Sequence, residues 1–230
     1  MQYENIFFDL DHTLWDLETN SRETLTELII EHKLLEIGVN SPDDFIRAYH
    51  RINDRMWDEY RKGLIDKEKL RYARFLEAMQ IFGINDKELA EQFGADYVKR
   101  GPLKKNLFPH TIEVLSYLQN KYSLHIITNG FEEVQHIKLT HSGLSPFFKH
   151  IITSEAAGYK KPDIRIFDYA LGTTKASATS SLMIGDNMET DIVGARDSGI
   201  NQVFFNPNEI KHDEEITHEI TSLNQLFEIL

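Results

Sequence analysis

The stretch Ile6-Phe7-Phe8-Asp9-Leu10-Asp11-His12-Thr13-Leu14 decides how the chain is read. Three apolar residues in succession predict a strand buried on both faces. Such a strand ends in carboxylates only where something neutralises them, because an unpaired buried charge is costly. Alternation along the backbone puts Asp9 and Asp11 on the same side. The natural partner of two carboxylates there is a hard divalent cation such as Mg2+, which binds through few carboxylates together with phosphate and water. Taken alone, the stretch also reads as a strand end followed by a helix-capping Asp or Thr.

At 230 residues the chain has room for one large domain, or for one domain carrying a smaller insertion. It is 41% hydrophobic and 27% charged, an ordinary balance for a globular protein. No apolar run approaches the roughly 18 residues of a membrane span. The start, Met1-Gln2-Tyr3-Glu4-Asn5, lacks the basic and apolar regions of a signal peptide. There is no cysteine, which suits the cytoplasm and excludes disulfide and thiolate chemistry. A formal net charge of −12 argues against nucleic-acid binding. It does not exclude an anionic substrate, since one metal ion and one lysine reverse the local potential of a site. The ten histidines are scattered and show no zinc-protease spacing.

Five apolar runs predict parallel strands: Ile6–Phe8, Leu124–Ile127, Ile151–Ile152, Leu182–Ile184 and Val203–Phe205. Helical periodicity fills most of the gaps between them, as in Glu113–Leu118 and Arg165–Leu171, so the expected fold is α/β, a Rossmann-like doubly wound parallel sheet. One gap is far too long for a crossover. From Asp9 to Leu124 lie more than a hundred residues, and Trp15 to about Arg100 reads as helix after helix. Ser41-Pro42, Asp66-Lys67-Glu68 and Asn85-Asp86-Lys87-Glu88 are helix starts, and Gly38, Gly63 and Gly83 fall where helices stop. The expected division is therefore a catalytic core of residues 1–14 and 101–230, with residues 15–100 as an inserted all-helical cap domain. Gly101-Pro102 ends the insertion, and Pro109 starts the next core helix. Parallel sheets bind ligands at the carboxyl ends of their strands, so an insertion leaving the end of the first strand is expected to cover the site.

The other strand ends carry chemistry too. Thr128-Asn129-Gly130 offers a hydroxyl, and its backbone can approach an anion closely. Gly185-Asp186 puts an acid at the end of the fourth run, with Asp191 opening the helix after it. Lys160-Lys161-Pro162 places a lysine before a proline that opens another helix. Each piece alone has a plainer reading as turn, loop or cap; the four in this order do not.

With these motifs the chain resembles the haloacid dehalogenase-like hydrolase superfamily, in the branch with a helical cap after its first motif. The matches are Asp9-Leu10-Asp11-His12-Thr13-Leu14, Thr128-Asn129, Lys161-Pro162, and Gly185-Asp186 with Asp191. Within the superfamily it is similar to pyrimidine 5′-nucleotidase-like phosphatases acting on non-canonical nucleotides. That closer likeness lies in Trp57, Tyr60 and Gly63, and in the stretch Ser154-Glu155 to Lys161-Pro162-Asp163 to Ile166-Phe167-Asp168. The resemblance implies that Asp9 attacks phosphorus and forms an aspartyl-phosphate. It implies that Asp11 serves as general acid and then as general base. The implied metal set for Mg2+ is Asp9, the backbone carbonyl of Asp11, and Asp186, with Asp191 orienting metal-bound water and Lys161. Thr128, backbone N–H groups near Asn129, and Lys161 are the implied phosphate-holding groups. Lys161 is preferred to Lys160 because it directly precedes Pro162. Dehalogenases of the superfamily lack the second aspartate and P-type ATPases place Thr there, so Asp11 implies phosphate esters.

The expectation is a cytoplasmic, Mg2+-dependent phosphatase for a small phosphorylated metabolite, a pyrimidine or non-canonical nucleoside monophosphate, acting as a monomer or weak homodimer. Sugar phosphates and phosphomutase chemistry share these motifs. A non-catalytic phosphate sensor or scaffold is the reading of another class, disfavoured by the intact acids and the size of the insertion. Trp57, Tyr60 and Arg61 fall at helical spacing, and Trp15 lies just beyond the first motif. Trp15, at the expected hinge between insertion and core, Trp57 and Tyr60 are candidates for substrate selection; the plainer reading is that Trp57 and Tyr60 pack the insertion's own core.

Overall fold

The computed structural model describes Tyr3–Leu230. Its strands are β1 (Asn5–Phe8), β2 (Ser123–Thr128), β3 (His150–Thr153), β4 (Ser181–Gly185), β5 (Asn201–Phe205) and β6 (His218–Ile220). They form one six-stranded sheet in the order β3-β2-β1-β4-β5-β6, and every pairing is parallel. The register sets Phe8 opposite both Ile126 and Ile184. The ends of β1, β2 and β4 are therefore level, at the point where the strand order reverses. β6 was not anticipated: its three residues, His-Glu-Ile, form no apolar run, and it exists by pairing Phe204 with Glu219 and Phe205 with Ile220.

The chain divides into two compact units, one holding the chain up to Leu17 with Lys105–Leu230, the other Glu18–Lys104. Both boundaries lie a few residues beyond the expected ones, for a local reason. Trp15 is bridged to Leu107 and buried in the core of the α/β unit, and Asp16 N–H donates to the Asn106 carbonyl. Lys104 pairs instead with Glu23 and Glu27.

The second unit consists of α1 (Leu17–Glu31, from Glu18 on), α2 (Pro42–Arg61), α3 (Lys67–Ile81) and α4 (Lys87–Arg100), with short 3-10 turns at Leu34–Glu36 and Gly101–Leu103. Its helix starts are capped as the sequence predicts. The Ser41 hydroxyl accepts from Asp44 N–H, Asp66 from Lys69 N–H, and Asp86 from Leu89 N–H. Phe45, Tyr49, Phe75 and Phe93 are buried between the helices, with Tyr49 stacked on Phe75 at 5.0 Å between ring centroids. Among the described residues, no helix is long and apolar enough to cross a membrane.

Helices α5 (Thr111–Leu118), α6 (Glu132–His141), α7 (Ser154–Ala157), α8 (Ile164–Thr174), α9 (Gly194–Asp197) and α10 (Leu226–Ile229) cover the sheet. α5 begins two residues after Pro109, since His110 takes a left-handed conformation as its N-cap. Strand alternation sorts the core. Ile6, Phe8, Ile126, Ile184 and Val203 point to one face, against Val114, Leu115, Leu139 and Leu226. Phe7, Ile127, Ile152 and Met183 point to the other, against Ile166, Phe167 and Ala195.

One buried polar residue in the sheet has a pH consequence. His125, in β2, donates from Nε2 to Asn5 Oδ1 at 3.2 Å, while its Nδ1 has no partner. The ring lies between those of Phe7 and His150. Burial, and then the charges of His150 and Lys149, push the imidazole down to about 4. Between that value and about 6.5 the unfolded chain binds more protons, so stability is full above pH 6.5 and falls as pH drops toward 4. The loss is on the order of 3 kcal/mol. His125→Leu is expected to flatten this acid limb, measured as urea-unfolding free energy at pH 7 and pH 4.5.

Candidate active site

β1 ends at Phe8, and the chain then turns tightly. Asp9 N–H donates to the Ile184 carbonyl, and Leu14 and Trp15 N–H groups return to the Leu10 carbonyl. His12 takes a positive φ of 64° to make that turn. The turn delivers Thr13 as well: its hydroxyl donates to Asp186 Oδ1 at 2.9 Å, joining the end of β1 to the end of β4.

Asp9, Asp186 and Asp191 each offer an oxygen within 4.8 Å of the others. Lys161 lies among them with its side chain 2% exposed. Its ammonium donates to Asp9 Oδ1 at 2.6 Å, Asp191 Oδ1 at 2.6 Å and the Ile127 carbonyl at 2.9 Å. Burial pulls the ammonium toward deprotonation, but Asp191 and Asp9 outweigh it, and Lys161 is held charged. One cation does not neutralise three acids. Burial, only partly offset by Lys161 and reinforced by Asp191 and Asp186, pushes Asp9 well above the carboxylate range. Burial and then Asp191 push Asp186 up to about 7. Three carboxylates that share one ammonium suit a divalent cation, and all three donors are the hard oxygens that Mg2+ takes.

Asp191 sits in a π-helical turn, Met188–Val193, directly after the end of β4. Its Oδ2 accepts from Asn187 N–H. The carboxylate folds back so tightly that a Cβ on Gly185 would fall 2.4 Å from Asp191 Oδ2. Glycine is required there by space alone.

On the other side, Thr128 ends β2 and its hydroxyl oxygen accepts twice, from Gly130 N–H at 3.0 Å and Gln135 Nε2 at 2.8 Å. With both lone pairs engaged, its own proton is left to donate. Asn129 uses its side chain differently. Its amide donates to the Lys161 carbonyl and accepts from Lys161 N–H, clamping the backbone that carries Lys161. An anion at Asn129 therefore meets backbone rather than side chain. Asp11 is held by Lys138 at 2.6 Å and Gln135 at 2.9 Å. Burial raises it, but the charge and hydrogen bonds of Lys138 and the bond from Gln135 prevail and keep it below the usual range.

The residues the sequence singled out thus separate. Asp9, Asp11, Thr128, Asn129, Lys161, Asp186 and Asp191 converge at one end of the sheet. Trp15 does not stand with the candidates for substrate selection in the helical insertion: it is 1% exposed in the α/β core, with the Lys138 ammonium 4.3 Å from its ring. Trp57 and Tyr60 lie on α2, edge to face at 5.6 Å, with Tyr60 buried and Trp57 half-buried. Sequence reasoning missed Thr13, Gln135 and Lys138. The last two lie at helical spacing behind Thr128-Asn129-Gly130, which was their one available signal.

A family model for haloacid dehalogenase-like hydrolases matches residues 6–205. The chain belongs to that family. It is 30% identical to the HAD-hydrolase YfnB of Bacillus subtilis, covering 100% of this chain and 96% of that one. The crystal structure of YfnB bound to magnesium superposes with a TM-score of 0.90 at 27% identity, covering 100% and 99% of the two chains. The pyrimidine 5′-nucleotidase YjjG of Escherichia coli is 28% identical over 100% of this chain and 99% of its own. The glyceraldehyde 3-phosphate phosphatase of Methanothermobacter thermautotrophicus is 29% identical over 98% of each. The family resemblance of the motifs, the doubly wound α/β fold and the assignment as a phosphatase enzyme all hold.

Gly185→Ala is expected to displace Asp191 and cost roughly 1–3 kcal/mol of unfolding free energy. Gly172→Ala, where an added Cβ meets nothing within 4 Å, is expected to be neutral or stabilising by up to about 1 kcal/mol. Urea denaturation of the two variants side by side checks the contrast.

Proposed function

We propose that the chain is a Mg2+-dependent phosphomonoesterase that works through phosphorylated Asp9 and takes pyrimidine or non-canonical nucleoside monophosphates. The observation that carries the reading is Lys161 bridging Asp9 and Asp191, with the free proton of Thr128 at the neighbouring strand end. A nucleophile and a hydroxyl donor at neighbouring strand ends, with a fixed cation held between, are what phosphoryl transfer uses, since its catalysis is mostly positioning and charge stabilisation.

Asp9 attacks phosphorus as the bond to the ester oxygen breaks. The departing oxygen takes a proton from Asp11. Against burial, Lys138 holds that carboxylate below the usual range, and so makes it the stronger acid in the fraction of molecules that carry the proton. Water then attacks the phosphoryl group and gives its proton to Asp11, the bond from Asp9 to phosphorus breaks, and inorganic phosphate leaves. The Thr128 hydroxyl and the fixed charge of Lys161 face the transferring oxygens, Lys161 donating to one of them in place of its bond to Asp9 Oδ1. Asp9, Asp186 and the Asp11 carbonyl would hold Mg2+, with Asp191 beside them. Bound there, the ion supplies positive charge that offsets repulsion between carboxylate and phosphate.

The nucleotide substrate is supported by the likeness to a pyrimidine 5′-nucleotidase over essentially the whole of both chains. An equal likeness to a glyceraldehyde 3-phosphate phosphatase makes a sugar phosphate the second reading. Trp57 and Tyr60 remain the candidates for selecting the substrate. A phosphate-release screen of pyrimidine, modified and deoxynucleoside monophosphates against triose and pentose phosphates is expected to favour the nucleotides. Preference for the sugar phosphates would select the second reading. Asp9→Asn is expected to abolish release from every ester, and chelation to do so reversibly. Activity in excess chelator would exclude the Mg2+ reading.

The raised Asp186 has a further consequence. In the metal-free protein its folded pKa, about 7, lies above the unfolded carboxylate value. Its contribution to stability is therefore present at low pH and is lost as pH rises from about 4 through 7. Mg2+ binds the deprotonated form, so the Mg2+-induced rise in Tm is expected to be larger at pH 8 than at pH 6.

A further inference from the structure

Asp11 is engaged at both oxygens by side chains from a single helix. Oδ1 accepts from Lys138 Nζ at 2.6 Å and Oδ2 from Gln135 Nε2 at 2.9 Å. The two donors stand three residues apart on α6 and so share a face. Gln135 is fully buried and the Lys138 side chain is 8% exposed. The same Gln135 amide donates to Thr128 Oγ1 at 2.8 Å, linking the carboxylate of Asp11 to the end of β2. Trp15, itself bridged to Asp11 through the backbone, places its ring against the Lys138 ammonium. Gly130 completes the arrangement: a Cβ there would lie 1.9 Å from Gln135 Nε2. The glycine makes room for the amide.

Burying an ammonium and an amide on the inner face of a helix is no route to stability. Apolar side chains of the same volume would serve the fold as well or better. What the pair achieves is a carboxylate with one orientation. Each oxygen gives one lone pair to α6 and keeps another for the proton it must move. We propose that Lys138 and Gln135 are positioning residues that fix the carboxylate of Asp11 for proton transfer to the departing alkoxide and from the attacking water. The proposal rests on the reading of Asp9 as nucleophile and Asp11 as acid and base.

The test compares two substrates in the intact enzyme with Mg2+. p-Nitrophenyl phosphate releases a leaving group that needs no proton; a nucleoside monophosphate releases an alkoxide that does. The ratio kcat/KM covers only the steps up to departure of the alcohol. Lys138→Met is expected to lower kcat/KM for the nucleotide by about 100-fold or more, and to change it for p-nitrophenyl phosphate by less than about threefold. Gln135→Leu, which also frees a lone pair of Thr128 Oγ1, is expected to lower both, the nucleotide by at least about tenfold more. With the nitrophenyl ester, both variants are expected to release a burst of one equivalent of nitrophenolate before a slow steady state, because water attack also needs Asp11. Lys138→Arg, which restores the cation, is expected to recover most of the nucleotide activity. Gln135→Leu carries the larger loss on the nucleotide as an independent prediction, should Lys138→Met not fold. Equal losses on both esters, or no loss on either, would overturn the positioning role. Asp11→Asn separates this from the underlying reading. If it shows the split between substrates and the α6 variants do not, only the positioning role falls. If it shows no split, the acid and base reading falls, and the positioning role with it.

Discussion

Lys161 Nζ has three protons and three acceptors in reach, the carboxylates of Asp9 and Asp191 and the carbonyl of Ile127. That full coordination is what allows two buried acids to stand together, one just past the end of β1 and one in the turn that follows β4. A lysine so deeply buried would ordinarily lose its proton; between two carboxylates it keeps it. The site still has an excess of acid, since Asp186 joins the other two with no cation of its own beyond the shared one. The α/β unit thus presents a fixed positive charge at the nucleophile, and a remaining deficit suited to a hard divalent cation.

The surroundings of that ammonium are specified with little slack. Asn129 holds the Lys161 backbone through both its N–H and its carbonyl, so the end of β2 sets the position of a residue thirty-two further on. Gly185 and Gly130 have no side chain because Asp191 and Gln135 occupy the space where one would be. Thr13 ties the turn after β1 to Asp186. Four strand ends and loops are therefore linked by hydrogen bonds that pass through the reactive groups themselves. An arrangement of this kind holds its geometry before substrate arrives, the condition under which fixed charges are most effective.

Much of this was legible in the sequence, and the limits have physical causes. Ile6–Phe8 and Leu182–Ile184 announce themselves as buried parallel strands because both faces are covered, and their terminal acids stand out against that background. The helix starts at Ser41, Asp66 and Asp86 are local, so the residues that form them also reveal them. β6 is invisible because a three-residue edge strand owes its existence to its partner. Lys138 and Gln135 left only their helical spacing as a trace, for a related reason. A lysine and a glutamine on a helix look like a solvated face until the fold turns that face toward Asp11. Trp15 could not be placed from the sequence either: a large aromatic beside a motif invites a role in recognition, and the fold packs its ring in the core against Lys138.

The most direct test of the account is chemical capture of the intermediate. The Asp11→Asn protein, given radiolabelled p-nitrophenyl phosphate, whose leaving group needs no proton, with Mg2+ and quenched in acid, is predicted to carry phosphate on one peptide. That peptide contains Asp9, and hydroxylamine releases the label as it does from any acyl phosphate. Continued turnover of the ester by this protein with no label on Asp9, or with the label on another residue, would contradict the covalent role that the geometry around Lys161 supports.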